Sequence, residues 1–372
     1  MTDLRALGDA APAPAGARPQ VRRSLARVAG RGRAPGVVAG LAALVAVSLV
    51  LNIALGAVEI PPWTVVGVLA DHAGLGLGGA FTPQQDAVVW EIRMPRAALA
   101  MLVGAGLGVS GAALQGIFRN PLADPGLIGI SAGASVGAAA AIVFGATALG
   151  ATALPAAASL AAMAAAAVVY ALARHQGRTE VVTLLLTGLA VNAIGVAGVG
   201  YLTFLATEDQ LQDIVFWTLG SLGGATWETV RVALPFILAG VIAIPLFARS
   251  LNLMTLGERE AGHLGVATER ARVVLIALCA LAAGGAVAAA GVISFVGLIV
   301  PHLVRLAAGP DHRVVLPASA LGGAALMLLA DLGARTLAVP QELPLGVLTG
   351  LIGGPFFIWL LQRTRREQGG WA

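Results

Sequence analysis

Apolar residues in this chain run in stretches of about twenty, broken by Pro, Gly and clusters of charge, a spacing that predicts helices crossing a membrane. Splitting the runs at those breaks gives about ten spans, at 36–57, 95–117, 127–148, 153–174, 181–205, 231–249, 271–290, 292–307, 314–333 and 343–362. The stretch 271–307 is nearly unbroken. At ~1.5 Å per residue it is about twice one bilayer crossing, so it must hold a tight hairpin, expected near Gly291. The runs are continuously apolar rather than alternating, which excludes a membrane barrel. The expected fold class is all-α, a polytopic membrane protein.

One polar interruption stands out. Residues 255–270 read TLGEREAGHLGVATER, a concentration of charge between spans 6 and 7. Thr255 and Glu258 are spaced as a T-x-x-E capping box, which predicts a short helix from about Leu256 that ends near Gly265. It is too short and too charged to span. Lying flat on the membrane and acting as a rigid knob for a cytoplasmic partner both fit this composition.

Arginine sets the orientation. With the N-terminus inside, 19 of the 23 arginines fall on inner segments, and only Arg93, Arg96, Arg231 and Arg335 fall outside. The positive-inside rule favours that topology, with both termini cytoplasmic. Residues 1–35 are rich in Ala, Pro, Gly and Arg. They resemble the charged part of a signal sequence, but the run that follows is too long and lacks a cleavage site. They are expected to form a disordered cytoplasmic tail, followed by a membrane domain over 36–362 and a cytoplasmic tail over 363–372.

Composition narrows the function. The chain is 58% hydrophobic and 11% charged, where a soluble protein carries roughly a quarter charged residues. All 23 basic residues are Arg. Without lysine there is no P-loop lysine, Schiff base or kinase-type lysine, so any ATP hydrolysis must come from another chain. The net charge of +4 comes mainly from Arg outside the spans and is not read as nucleic-acid binding. Cys279, the single cysteine, lies in an apolar run and reads as a packing residue.

The remaining candidates are few. The five histidines are scattered without i,i+4 pairs, so no metal site is expected. Ser110 in GVSG lacks the frame of a nucleophile elbow, and no enzyme constellation emerges. GAGLG (104–108), GASVG (133–137) and GVLTG (346–350) place small residues four apart, as close helix packing requires. Arg335 lies one turn on from Asp331, a spacing at which the two can pair along the helix. Asp331 is also the best candidate for ion coupling in a secondary transporter, a competing class. Asn192 and Gln115 fit either a pathway or a hydrogen bond between helices. Arg93 and Arg96 fit either headgroup snorkelling or a positive docking surface.

Four blocks resemble the permease subunit of type II ABC importers, the family carrying iron–siderophore, haem and cobalamin. They are RMPRAALAMLVGAGLGVSGAALQGIFRNPLADPGLIGISAGAS (93–135), LGEREAGHLGV (256–266), GVISFVGLIVPHLVRLAAGPDHRVVLP (291–317) and ELPLGVLTGLIGGPFFIWLL (342–361). The resemblance covers about residues 36–362. It implies that Leu256, Gly257, Glu258, Arg259, Glu260, His263, Leu264 and Gly265 belong to a coupling helix that docks on the ATPase. It implies that Arg93, Arg96 and Arg335 meet acidic residues of a periplasmic binding protein. It places the inner gate at about Val181 and Val182, with the pathway beside span 5 along a homodimer axis.

Such a system holds two cytoplasmic ATPase subunits, which bind ATP–Mg, and one binding protein, and the resemblance implies that this chain binds no cofactor of its own. Residues 174–198 and 210–227 are most similar to haem-uptake members, which makes haem the expected cargo. Asn192 and Arg178 are candidate pathway contacts, Arg178 for the haem propionates or equally as a positive-inside anchor.

Overall fold

The computed structural model describes residues 17–56, 60–75, 81–175 and 178–367. Ten apolar helices carry the fold: α1 (Ala17–Ala54), α2 (Met94–Phe118), α3 (Ile130–Val143), α4 (Ala153–Leu172), α5 (Val181–Leu205), α6 (Trp227–Ala243), α7 (Thr268–Ala290), α8 (Val296–Ala308), α9 (His312–Thr336) and α10 (Leu345–Glu367). Seven of these runs are long and apolar enough to cross a membrane, while α3, α8 and α10 hold shorter apolar stretches. The expected all-α polytopic fold is what forms. The only β-ladder among the described residues is a two-residue one, Arg174–His175 against Arg178–Thr179, just ahead of α5.

The span limits moved where local chemistry intervened. The third span opens late, at Ile130, because Asp124 caps a 3-10 turn over Pro125–Ile128. The run 271–307 does fold back at Gly291, which adopts φ 72°, a conformation that glycine reaches without a Cβ clash. Helix α1 reaches back to Ala17, so the stretch 17–35 expected to be disordered is helical from there. Its alanines and arginines are strong helix formers. At the other end, α10 continues to Glu367, past the start of the expected tail.

Helix α2 is the centre of the bundle, buried along most of its length, and packs on α9, α7, α6 and α8. Its glycines make this possible. A Cβ on Gly104 would stand 2.1 Å from the Gly323 carbonyl oxygen, and one on Gly108 2.2 Å from that of Ser319. Backbone therefore meets backbone between α2 and α9, as the small-residue spacing predicts. Gly133 and Gly137 do the same for α3 against α4. In the third motif only Gly346 is crowded, against the Leu219 and Val292 carbonyls, while Gly350 faces open space. By contrast α5 is buried along little of its length and presents Val182, Leu186, Leu189 and Val196 outward.

Candidate functional sites at the two ends of the bundle

Three arginines gather at one end. A π-helical turn over Val88–Arg93 leads into α2 and sets Arg93 and Arg96 on its first turns. Arg96 donates from Nε to Asp331 at 2.8 Å and forks onto both oxygens of Glu342 at 3.0 and 2.9 Å. Asp331 is fully buried; it also accepts from Asn52 Nδ2 at 3.0 Å and pairs with Arg335 Nε at 3.2 Å. Arg335 reaches on to the Asn52 carbonyl at 2.8 Å, and Arg93 donates to the carbonyls of Ile53 and Ala54 at 2.6 and 2.9 Å.

The three expected docking residues thus converge, but Arg93 and Arg96 are buried and the cluster carries its own counter-charges. Two of these participants, Asn52 and Glu342, were not singled out from the sequence. Only Glu342 in this web is substantially open to solvent, with its side chain 46% exposed.

The opposite end holds the charged island. Its helix covers Glu258–His263 and leaves every side chain but Ala261 open or partly open. Leu256 and Leu264, flanking it, are large apolar residues exposed to solvent. The expected capping box does not form. Thr255 closes the preceding helix Ala248–Met254, and its hydroxyl donates back to the Asn252 carbonyl at 2.7 Å. Gly257 takes the N-cap position instead, at φ 134°. The C-terminus is as expected: Gly265 adopts φ 85°, with Val266 N–H bonded to the Ala261 carbonyl and Gly265 N–H to that of Gly262.

Behind the island lies Arg272, 1% exposed. Its guanidinium holds Glu258 on the short helix, Glu269 at 2.8 Å and the Thr179 carbonyl at 3.1 Å. Glu269 in turn accepts from the Thr179 hydroxyl and from Tyr170 Oη at 3.0 Å. Thr179 sits two residues before Val181, so one buried cation joins the charged helix to the proposed gate turn. Val181 and Val182 open α5, with Val182 largely exposed. The side chain of Arg178 lies outside the described residues. Gln115 donates to the Gly297 carbonyl of α8 at 3.1 Å, an interhelical bond, whereas Asn192 donates to the Gly126 carbonyl in the turn ahead of α3 at 2.9 Å.

Asp124, in the turn between α2 and α3, has its carboxyl pushed above the usual range by burial, partly offset by the Gly126 N–H. No group of three His, Cys, Asp or Glu placed to hold a metal occurs among the described residues.

The model of the FecCD transport family matches residues 44–363. The hemin transport system permease protein HmuU of Yersinia pestis is 46% identical over 295 residues, covering 78% of this chain and 88% of that protein. The cobalamin import system permease protein BtuC of Halobacterium salinarum is 43% identical over 301 residues, 81% of this chain and 79% of that one. A solved structure described as an inward-facing metal-chelate type ABC transporter superposes with a TM-score of 0.78 at 33% identity, covering 88% of this chain and 99% of its own.

Proposed function

We infer the function from one premise: the chain belongs to the FecCD transport family. It is a multi-pass permease of an ABC importer of the bacterial inner membrane, working with ATPase partners. We propose that it acts as a homodimer with two ATPase subunits and one periplasmic binding protein, that both termini face the cytoplasm, and that its cargo is haem. In this reading ATP–Mg is bound on the ATPase chains, and the permease has no catalytic site of its own.

The observation that carries the mechanism is the exposed helix Glu258–His263, tied through buried Arg272 to the turn ahead of α5. A rigid charged helix with two exposed leucines suits a protein partner. Motion imposed on it would be transmitted to Thr179 and the start of α5 through charge-assisted bonds. At the other end the Arg93–Arg96–Arg335 group supplies positive charge for acidic residues of a binding protein. The bare face of α5 suits a second copy and a pathway between the two.

Haem is favoured by the 46% identity to the hemin permease and by the segments 174–198 and 210–227. Cobalamin is the second reading, supported by 43% identity to a cobalamin permease; a ferric siderophore is the third. An ion-coupled secondary transporter is disfavoured, because Asp331 is held by Arg96, Arg335 and Asn52 rather than facing a cavity. The test is ATP-dependent uptake into liposomes holding permease, ATPase and loaded binding protein. Haem should accumulate. Uptake of cobalamin or a ferric siderophore without haem would overturn the cargo assignment and leave the importer assignment standing.

A further inference from the structure

A cavity of about 990 Å³ opens at the same end of the bundle as the short charged helix. Its wall comes from four places: residues 34–35 of α1, the C-terminal end of α2 and the turn after it, residues 252–256, and the α8–α9 connection. Each of these lies where an apolar stretch begins or ends. The sequence of α1 turns apolar just after Arg33 and Pro35, a membrane-length helix starts at His312, and two others stop at Phe118 and Met254. The cavity therefore sits at the depth of the lipid headgroups, between helices, rather than in the hydrocarbon or beyond the membrane.

Its charge is one-sided. Arg119, Arg305 and Arg313 line it, with His312 beside them and Asp311 as the only acid in the wall among the described residues. Asp311 already accepts from Asn252 Nδ2 at 2.7 Å and from the Arg313 N–H at 3.0 Å. Arg305 forms no ion pair among the described residues, and its guanidinium bonds the neutral side-chain oxygen of buried Gln115. A partly buried guanidinium that meets only an amide has donors and charge to spare. Arg119 adds an independent sign. It holds φ 50°, a left-handed conformation that is costly for a residue with a Cβ and that clusters at ligand sites. Glycine would close that helix without strain; an arginine there brings its side chain to the cavity wall.

We propose that this cavity binds the phosphate of an anionic phospholipid. Arg119, Arg305 and Arg313 would hold the phosphate, while Ala34, Pro35 and Val314 face the glycerol and upper acyl carbons. Only the assignment to the inner leaflet rests on the orientation proposed above. The cavity borders Leu256, so an occupied site would also brace the approach to the short helix.

The test uses the full chain reconstituted in vesicles of phosphatidylglycerol and phosphatidylcholine, then delipidated and examined by native mass spectrometry. Wild type should retain phosphatidylglycerol selectively. Arg119→Gln and Arg313→Gln, both at exposed positions, should each cut that retention about fivefold, the factor for roughly 1 kcal/mol per basic side chain at headgroup level. Arg249→Gln, at the same end but outside the cavity wall, should change nothing. Retention equal to wild type in both cavity variants would overturn the site. So would equal thermal stabilisation by inorganic phosphate in pure phosphatidylcholine, which would make the ligand a soluble anion. Loss of ATPase affinity in both variants with lipid retention intact would make the occupant an acidic group of the ATPase. ATP-dependent uptake measured on the same preparations tests the importer reading separately, since lipid retention does not require transport.

Discussion

Arg272 and Glu258 form an ion pair that fastens the short charged helix to the first turn of α7, and the same guanidinium holds the Thr179 carbonyl ahead of α5. Removing it leaves Glu258 and Glu269 facing each other without their shared cation. Arg272→Ala should separate hydrolysis from transport, lowering haem moved per ATP by about tenfold, a coupling loss of ~1.4 kcal/mol. The measurement is uptake and ATPase rate on the same liposomes. A variant that folds, hydrolyses ATP and transports at the wild-type ratio would remove Arg272 from the coupling route. Arg272→Lys keeps the charge but not the fork, and should recover only part of the ratio.

At the other end the three arginines should no longer behave alike. Arg96 lies between Asp331 and Glu342, so Arg96→Glu puts a third carboxylate beside two others. Breaking a buried pair in this way costs ~3–5 kcal/mol, and the variant should fail to accumulate in the membrane. Arg335→Glu should be damaging for the same reason, since it faces Asp331. Glu342→Gln is the milder probe. It keeps the shape, frees much of the charge on Arg96, and should leave the fold intact while tightening docking of an acidic binding protein. Unchanged affinity and unchanged salt dependence in Glu342→Gln would separate this cluster from docking.

The contrast between the two ends explains what the sequence could reveal. The seven membrane-length helices were legible because hydrocarbon thickness imposes a run length that survives any packing arrangement, whereas α3, α8 and α10 fall short of that length and showed only as apolar runs. The Asp331–Arg335 pair was legible because it is one helical turn long. Arg96 bonded to Asp331 is 235 residues apart, and Arg272 bonded to the Thr179 carbonyl is 93 apart; neither separation leaves a local pattern. The helix Glu208–Leu219 was missed although its signal was present. Thr207 and Gln210 form a reciprocal capping box there, as Thr82 and Gln85 do ahead of α2. The same rule misfired at Thr255, because that residue still belongs to the end of the preceding helix. Capping patterns read correctly only where the residues before them are not already helical.

The α2–α9 contact gives a stability prediction independent of transport. A side chain at Gly104 or Gly108 must push apart two backbones, because the nearest atoms are carbonyl oxygens rather than flexible side-chain ends. Gly104→Val and Gly108→Val should each cost more than the ~1–3 kcal/mol typical of overpacking, and thermal unfolding in detergent should drop accordingly. Gly350→Val, where nothing stands within 4 Å, serves as the tolerated control. Equal melting temperatures for all three would mean the helices do not approach as closely as described.

The last prediction separates the two halves of the charged helix. Glu258 is anchored inward to Arg272, whereas Arg259 and Glu260 project into solvent with Leu256 and Leu264. Glu258→Arg places two guanidiniums together and should detach the helix from α7. The ATPase should still bind, since the outward surface survives, but transport per ATP should fall as in Arg272→Ala. Arg259→Glu and a paired Leu256→Ala, Leu264→Ala variant act on the other side. They leave the Arg272 web untouched, and surface changes of this kind usually cost under ~0.5 kcal/mol of folding. Their effect should therefore appear as weaker ATPase binding, measured by pull-down or by titrating ATPase into permease vesicles, with a normal ratio of transport to hydrolysis once the complex is saturated. If Arg259→Glu lowers that ratio at saturation while Glu258→Arg spares it, force passes through the exposed charges by another route, and the Arg272 connection is structural support alone.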